Sequence, residues 1–225
     1  MNESGREAAK RRAGESAAEL VDDGMTVGLG TGSTAAHAIH TLGNRVDAGL
    51  DIAGIPTSFQ SRELAREAGI PLTTLAEATP DIAIDGADQI ADGALIKGGG
   101  AAHTREKIVD SAAARFVVVD SSKESARLDA PVPIEVLSTA RSTVASAVAD
   151  LGGEATLRAA ANKDGPVVTD NGNLVLDCAF GRIDSPDVLA RDLSSIPGVV
   201  EHGLFVGLAD EMHVGTSAGV RVEEM

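Results

Sequence analysis

The feature that most constrains the fold is a regular alternation of short apolar runs and helix-patterned stretches through the first half of the chain. The runs "MTVGLG", "DIAGIP", "IPLTTL", "DIAIDGAD" and "RFVVVD" have the length and apolar content of buried strands. Among them, "STAAHAIHTLG", "SFQSRELAREAG" and "TREKIVDSAAA" have the pattern of helices. Strands that alternate with helices of this length form a largely parallel sheet with helices on its faces. The sequence therefore predicts an α/β fold.

The order of predicted strands and helices changes after residue 130. The predicted elements that follow are, in order, strand "PIEVL", helix "TARSTVASAVADLGG", strand "EATLRAAA", two extended pieces around the Asn-Gly of "VVTDNGNLVLDCAF", helix "SPDVLARDLSSI" and strand "GVVEHGLFVG". This is the β-α-β-β-α-β pattern of a ferredoxin-like α+β domain. We therefore predict a second domain at 130–204, inserted into a first domain of 1–129 plus 205–225, to which "EMHVGTSAGVRVEE" returns as strands.

Composition and charge exclude several classes of protein. A net charge of −15 argues against a nucleic-acid partner, because phosphate backbones attract basic surfaces. No apolar run approaches the roughly 20 residues of a membrane span, and the charged start of the chain lacks the apolar segment of a secretory signal. The single cysteine, Cys178, has no internal disulfide partner, so we expect a cytoplasmic protein. Few lysines, and no Tyr or Trp, favour adaptation to concentrated salt over ordinary acidity.

The stretch "GLGTGSTA" lies where the first strand turns into a helix, the edge at which α/β sheets bind ligands. Gly30, Gly32 and Ala35 satisfy a loose dinucleotide-binding pattern, which is weak evidence for a nicotinamide cofactor. The hydroxyls of Thr31, Ser33 and Thr34 around Gly32 are more typical of a compact nest for one phosphate. A tight turn with a helix cap is the structural alternative.

Two further stretches carry charged residues at the ends of predicted strands. Asp85 and Asp88 flank Gly86 and Ala87, a spacing that lets both carboxylates face a cleft or, alternatively, forms a surface turn. In "LIKGGGAAHTREK", Lys97 precedes Gly98, Gly99 and Gly100, whose N–H groups can approach a ligand closely. A fixed lysine with several backbone donors is suited to stabilising a developing oxyanion.

The helix after the glycines carries a candidate base. Glu106 stands between Arg105 and Lys107, cations that favour its ionised form, although the same charges fit a solvated helix face. Lys123 follows the strand "RFVVVD" and is a candidate ligand for phosphate or hydroxyl groups. His37 and His40 lie one helical turn apart without further ligands at metal-site spacing, so we predict no metal.

Three motifs together, "GTGSTAAH", "DGADQI" and "IKGGGAAHTREK", resemble the type A ribose-5-phosphate isomerase family, and "VTDNGN" and "IPGVV" fit the same family. The resemblance covers nearly the whole chain. It implies a Rossmann-like, largely parallel sheet domain with an inserted ferredoxin-like domain. It also implies reversible conversion of ribose 5-phosphate to ribulose 5-phosphate in the non-oxidative pentose phosphate pathway, without a metal or organic cofactor. A homodimer or a dimer of dimers is the assembly that the family suggests.

The resemblance also implies roles for individual residues. Substrate-binding stretches fall on Thr31–Thr34, Asp85–Asp88 and Lys97–Gly100, with a further substrate lysine at Lys123 and the catalytic base at Glu106. Lys97 and the glycine amides would hold an enediolate oxyanion, and Asp85 would handle hydroxyl protons. The chain departs from the family's usual residues at Gln89 and His103, neither of which carries the chemistry.

Two other classes of function stay open at this point. A sugar-phosphate-sensing regulator would share the fold but usually carries a DNA-binding segment. A nicotinamide-dependent dehydrogenase would use the "GLGTGSTA" loop and would bind NAD(H).

Overall fold

The structure is a computed structural model that describes residues 3–120, 122–162 and 164–225. The chain divides into two compact units. The first comprises Met1–Ala87, Arg105–Lys123 and Gly207–Met225, and the second Asp88–Thr104 and Glu124–Val206. Residues 1 and 2, at the start of the predicted first domain, lie outside the described residues. The predicted domain boundaries of 130 and 204 stay a prediction.

The first unit is built on a mixed sheet. Its strands are β1 (Thr26–Leu29), β2 (Ala53–Pro56), β3 (Ile82–Gly86), β6 (Phe116–Asp120), β12 (Glu211–Gly215) and β13 (Val220–Glu224). The strand order is β13-β12-β6-β3-β1-β2, and every neighbouring pair is parallel except β12 with β13. The parallel α/β sheet predicted from the alternating pattern is confirmed.

Helices accompany this sheet. They are α1 (Glu3–Ala18), α2 (Ser33–Asp47), α3 (Phe59–Glu67) and α4 (His103–Ala112), whose first two residues belong to the second unit. α1 and α2 pack closely at Gly14, where a Cβ would lie 2.7 Å from the backbone nitrogen of Ala38. The core beneath them is aliphatic, with Leu29, Ile39 and Ile84 almost completely buried. Packing of this kind fixes the loops that follow β1 and β3.

The second unit contains the β-α-β-β-α-β pattern. Its elements are β7 (Val132–Val136), the short 3-10 helix η1 (Ser138–Ala140), α5 (Arg141–Asp150), β8 (Glu154–Leu157), β9 (Leu174–Ala179), α6 (Pro186–Ser194) and β10 (Val199–His202). The strands form an antiparallel sheet of order β10-β7-β9-β8, which confirms the predicted ferredoxin-like arrangement. A separate antiparallel sheet joins β4 (Gln89–Ala91), β5 (Ala94–Ile96) and β11 (Leu204–Val206) in the order β11-β5-β4.

Several predicted extended segments differ from the structure. "EATLRAAA" is a strand only at Glu154–Leu157, and the piece before the Asn-Gly turn makes an isolated bridge in place of a strand. "GVVEHGLFVG" is interrupted at Gly203, so that β10 and β11 belong to different sheets. The Gly203 N–H donates to the carbonyl of Pro133 at 2.7 Å, and its own carbonyl accepts from the Lys97 N–H at 2.8 Å. "IPLTTL" makes one isolated bridge, between Gly54 and Leu72, because its backbone passes the edge strand β2 without forming a ladder.

Within the described residues, no helix is long and apolar enough to cross a membrane.

Candidate functional site

The loop that joins β1 to α2 leaves the N-terminus of this helix without a side-chain cap among the described residues. Gly32 takes a positive φ of 107° at the N-cap, a conformation that side chains rarely adopt. The first turn of α2 also contains no acidic residue. Thr31 and Thr34 are half-buried, and Ser33, the first residue of α2, is exposed. Uncapped helix N-termini attract anions, so this loop is a candidate site for a phosphate group.

Asp85 supports the same loop from the end of β3. Its side chain is completely buried, and Oδ1 accepts from the N–H of Thr31 at 3.1 Å and of Gly86 at 2.7 Å. A Cβ at Gly30 would lie 2.3 Å from the Asp85 carboxyl carbon, which explains why this position is a glycine. The structure thus brings Thr31 and Asp85 into contact at the carboxyl ends of the neighbouring strands β1 and β3.

Two hydroxyl residues at this edge were missed by the sequence analysis. The Thr31 hydroxyl donates to Ser58 Oγ at 2.8 Å and lies 2.9 Å from Thr57 Oγ1. Thr57 donates in turn to the Leu29 carbonyl, and Ser58 forms a capping box with Ser61 at the start of α3. They follow β2, the parallel neighbour of β1, so the rule that ligands bind at carboxyl ends of strands would have found them.

Lys123 follows β6, the parallel neighbour of β3 on its other side. Its side chain is exposed. The topology places it after the same sheet edge as Gly30 and Asp85.

In the second unit, Asp88 holds the glycine loop. The Gly99 N–H donates to Asp88 Oδ2 at 2.7 Å, and a Cβ at Gly99 would lie 2.8 Å from Oδ1. Gly98 takes a positive φ of 105°, and its carbonyl accepts from Ala101 N–H at 2.9 Å to close a turn. Gly99 and Gly100 are exposed, which lets their backbone meet a ligand. The prediction that the glycine N–H groups approach a ligand stays a prediction, since these contacts are made within the protein.

Lys97 lies immediately before this loop and is 2% exposed. Its ammonium lies 5.4 Å from the centre of the Phe205 ring, a cation–π distance. Its backbone is fixed by Gly203, where a Cβ would come within 2.1 Å of the Lys97 carbonyl oxygen. A buried and positioned ammonium of this kind is suited to holding negative charge that develops in a reaction.

Glu106 is 4% exposed and lies in the first turn of α4. A helix N-terminus favours a negative charge at this place. The neighbouring Arg105 places its guanidinium 5.3 Å from the centre of the Phe59 ring, so part of its role is to pack on an aromatic surface. Burial distinguishes Glu106 from an ordinary solvated helix residue.

His103 and His37 have structural partners. His103 is completely buried, with Nε2 3.2 Å from the backbone nitrogen of Glu135 and 3.3 Å from the Glu201 carbonyl. His37 Nε2 lies 2.7 Å from Glu7, which also pairs with Lys10 at 3.5 Å. These contacts lower the pKa of Glu7, the His37 hydrogen bond most of all. Among the described residues, no group of three or more His, Cys, Asp or Glu side chains forms a candidate metal site.

Comparison with known proteins gives a consistent result. Residues 53–219 match the family model described as ribose 5-phosphate isomerase A (phosphoriboisomerase A). The chain is 70% identical over 219 residues to a ribose-5-phosphate isomerase A of Natronomonas pharaonis, with 97% of each chain covered. It is 65% identical over 226 residues to that of Haloarcula marismortui, with 100% of this chain and 99% of the relative covered. Halophilic relatives fit the salt-adapted interpretation of the acidic composition.

Solved structures agree with the sequence matches. The ribose 5-phosphate isomerase A of Methanocaldococcus jannaschii superposes with a TM-score of 0.93 at 46% identity, covering 96% of this chain and 98% of the other. A D-ribose-5-phosphate isomerase in complex with phospho-erythronic acid superposes with a TM-score of 0.94 at 43% identity, with the same coverage.

Proposed function

Since the chain belongs to the ribose 5-phosphate isomerase A family, which interconverts D-ribose 5-phosphate and D-ribulose 5-phosphate, we propose that Glu106, Lys97 and Asp85 carry this reaction through an enediolate. The observation that carries the proposal is the burial of these three charged side chains, at 4%, 2% and 0% exposure. Charged side chains are seldom buried to this degree unless they are paired or functional.

The phosphate of the substrate binds the nest of Thr31, Gly32, Ser33 and Thr34. Positive charge at the uncapped start of α2 attracts the phosphate despite the net charge of −15. Lys123, after the neighbouring strand β6, adds a cation for the phosphate or a hydroxyl. Binding at this remote group orients the reacting carbons and thereby lowers the barrier of the chemical step.

Asp85 moves the hydroxyl protons, including the proton transfer that opens the sugar ring. Two backbone N–H groups on Oδ1 fix the direction of its carboxylate. Gly86 and Ala87, which follow it, contribute backbone contacts to the substrate, and Asp88 orients a hydroxyl while it holds Gly99. A fixed carboxylate loses no orientational freedom in the transition state.

Glu106 takes the proton from C2 and returns it to C1. As the proton leaves C2, negative charge develops on the C1 oxygen. The C2 hydroxyl proton passes to that oxygen through Asp85, and Glu106 then protonates C1 to give the ketose. Lys97 and the amide of Gly100 stabilise this charge as preorganised donors. Gly98 and Gly99 contribute the neighbouring backbone of the substrate-binding loop, and the Gly99 N–H is itself held by Asp88. A relative that is solved in complex with phospho-erythronic acid supports this assignment. That ligand carries a carboxylate at one end and a phosphate at the other, and we propose that this chain binds it as an analogue of the enediolate.

We further propose that the enzyme is cytoplasmic and assembles as a homodimer or a dimer of dimers, as its family suggests.

The exchange of Glu106 for glutamine tests the proposal. Glu106→Gln keeps the size of the side chain and removes its basicity, so kcat should fall by about a hundredfold or more with KM nearly unchanged. Ribose 5-phosphate deuterated at C2 should then keep its label in water, as followed by NMR. His103→Leu, which removes the imidazole three residues before Glu106, should retain turnover and label loss. Full label loss in Glu106→Gln, with failure of His103→Leu, would assign the base to His103 instead.

A further inference from the structure

We infer that Arg158 is a positioning residue for the glycine loop, residues Gly98–Gly100. It binds the carbonyl oxygens of the loop and thereby fixes the directions of the amide N–H groups. Arg158 follows β8, and its Nη1 donates to the carbonyl of Gly98 at 2.8 Å and to the carbonyl of Gly99 at 3.2 Å. One guanidinium nitrogen thus binds two consecutive peptide groups of the loop. The inference rests on the proposed oxyanion role of this loop.

The guanidinium is itself held in one orientation by Asp177 on β9. Arg158 Nε donates to Asp177 Oδ2 at 2.9 Å, and Nη2 donates to Oδ1. The two side chains are 15% and 30% exposed, so solvent screens this pair only in part. A two-pronged arginine–carboxylate pair fixes both the position and the plane of the guanidinium. Nη1 is therefore presented to the loop as a rigid donor.

Peptide planarity converts this contact into a direction for the N–H groups. In a trans peptide the C=O and the following N–H point in opposite directions. The Gly98 carbonyl shares its peptide with the Gly99 N–H, which points at Asp88 Oδ2, 2.7 Å away. The Gly99 carbonyl shares its peptide with the N–H of exposed Gly100. With both carbonyls drawn toward Arg158, the two N–H groups face away from it.

Arg158 also affects the strength of these donors. A cation at a carbonyl oxygen draws electron density through the amide and makes its N–H a better donor. Glycine backbone is the most flexible in a protein, so a loop of three glycines needs an external anchor to be preorganised. Arg158 supplies that anchor without touching the substrate, which distinguishes it from Lys97.

Kinetics of Arg158→Ala test the inference. We expect kcat to fall by roughly ten- to hundredfold, less than for loss of a direct donor, with KM changed less than about threefold. Methylguanidinium at millimolar concentration should restore part of the lost kcat, because it can occupy the site beside Asp177. Arg182→Ala is the matched control, since Arg182 pairs with the exposed Asp184 in the same unit. It should keep wild-type kcat.

Three outcomes would overturn the inference: kcat within threefold of wild type in Arg158→Ala, a rise in KM alone, or a loss of kcat that methylguanidinium leaves unchanged. If Arg158→Ala fails to fold by circular dichroism, Arg158→Lys decides, because lysine keeps the charge but cannot bind Asp177 and both carbonyls together. Wild-type kcat in that variant would refute the inference. Lys97→Ala is measured in parallel. Full turnover in Lys97→Ala would refute the proposed oxyanion role of the loop itself. Loss of turnover in Lys97→Ala, together with wild-type turnover in Arg158→Lys, would refute only the role of Arg158.

Discussion

Replacing Glu135 by glutamine should destabilise the second unit by roughly 2–4 kcal/mol. Glu135 on β7 is completely buried and charged, and its carboxylate accepts from Thr169 at 2.7 Å, Asn173 at 2.8 Å, Asn171 at 3.2 Å and the Thr104 hydroxyl. In glutamine, an NH2 group replaces one of the two carboxylate oxygens. This NH2 group would face the N–H and O–H donors that now bind the carboxylate, so it would lack an acceptor. One unsatisfied buried donor costs about 1–3 kcal/mol, and the remaining bonds weaken because they lose the charge.

Thermal unfolding followed by circular dichroism measures this change. For a chain of this size, the expected loss lowers Tm by roughly 4–16 °C. Glu154→Gln is the control, because Glu154 lies exposed on β8 of the same sheet. It should change stability by less than about 0.5 kcal/mol. If Glu135→Gln melts at the same temperature as the control, the hydrogen bonds to Glu135 do not stabilise the fold.

The pH dependence gives a second and independent readout. Burial raises the pKa of Glu135, but the hydrogen bonds from Thr104, Asn173, Thr169 and Asn171 outweigh it and hold the pKa below the usual value. A lowered folded pKa means that the stabilisation is complete above the unfolded value of about 4.3 and is lost as pH falls through the folded pKa. The stability difference between wild type and Glu135→Gln should therefore shrink below about pH 4. An equal difference at pH 7 and pH 3 contradicts this cause.

Two further predictions concern the loop after β1 and the charge of the surface. Gly30→Ala places a Cβ 2.3 Å from the Asp85 carboxyl carbon, against ordinary contacts of about 3.5–4.0 Å, and should lower kcat/KM at least about tenfold. Gly219→Ala, where a Cβ meets nothing within 4 Å, should leave kcat/KM unchanged, and equal activity of the two variants would contradict the proposed role of the loop. Because the net charge is −15, Tm should rise between about 0.1 M and 2 M KCl as salt screens repulsion. A Tm independent of KCl would leave the acidity unexplained by salt adaptation.

The parts of the fold that follow from local pattern were predictable from the sequence. Apolar runs with helices between them indicated the parallel sheet, and "VTDNGN" indicated a turn before β9. The glycines of both loops also marked positions where the backbone is approached closely, as the contacts of Gly30 and Gly99 show. These features depend on neighbours along the chain or on a missing side chain, both of which can be read in a sequence.

The parts that depend on distant pairing could not be predicted. Nothing local in "GVVEHGLFVG" indicates that Gly203 leaves one sheet to hold the backbone of Lys97. From the sequence, Arg158 is an ordinary arginine within the predicted strand "EATLRAAA", until its contacts with Gly98 and Gly99, about 60 positions earlier, are known. The role of Glu135 is likewise invisible, because the motif that surrounds it lies 34–38 residues further along the chain.

The position of β12 has a consequence for the order in which the protein can be made. In the first unit's sheet β12 lies between β6 and β13, yet it comes from residues 211–215, after the whole of the second unit has been synthesised. During translation, the edge of β6 that pairs with β12 therefore stays uncovered while some ninety residues are synthesised. An uncovered strand edge is a template for pairing with another chain. Early folding of the second unit shortens the effective loop that must close before β12 can pair with β6. Variants that delay the folding of the second unit should therefore aggregate on the ribosome, even when their completed structures are stable.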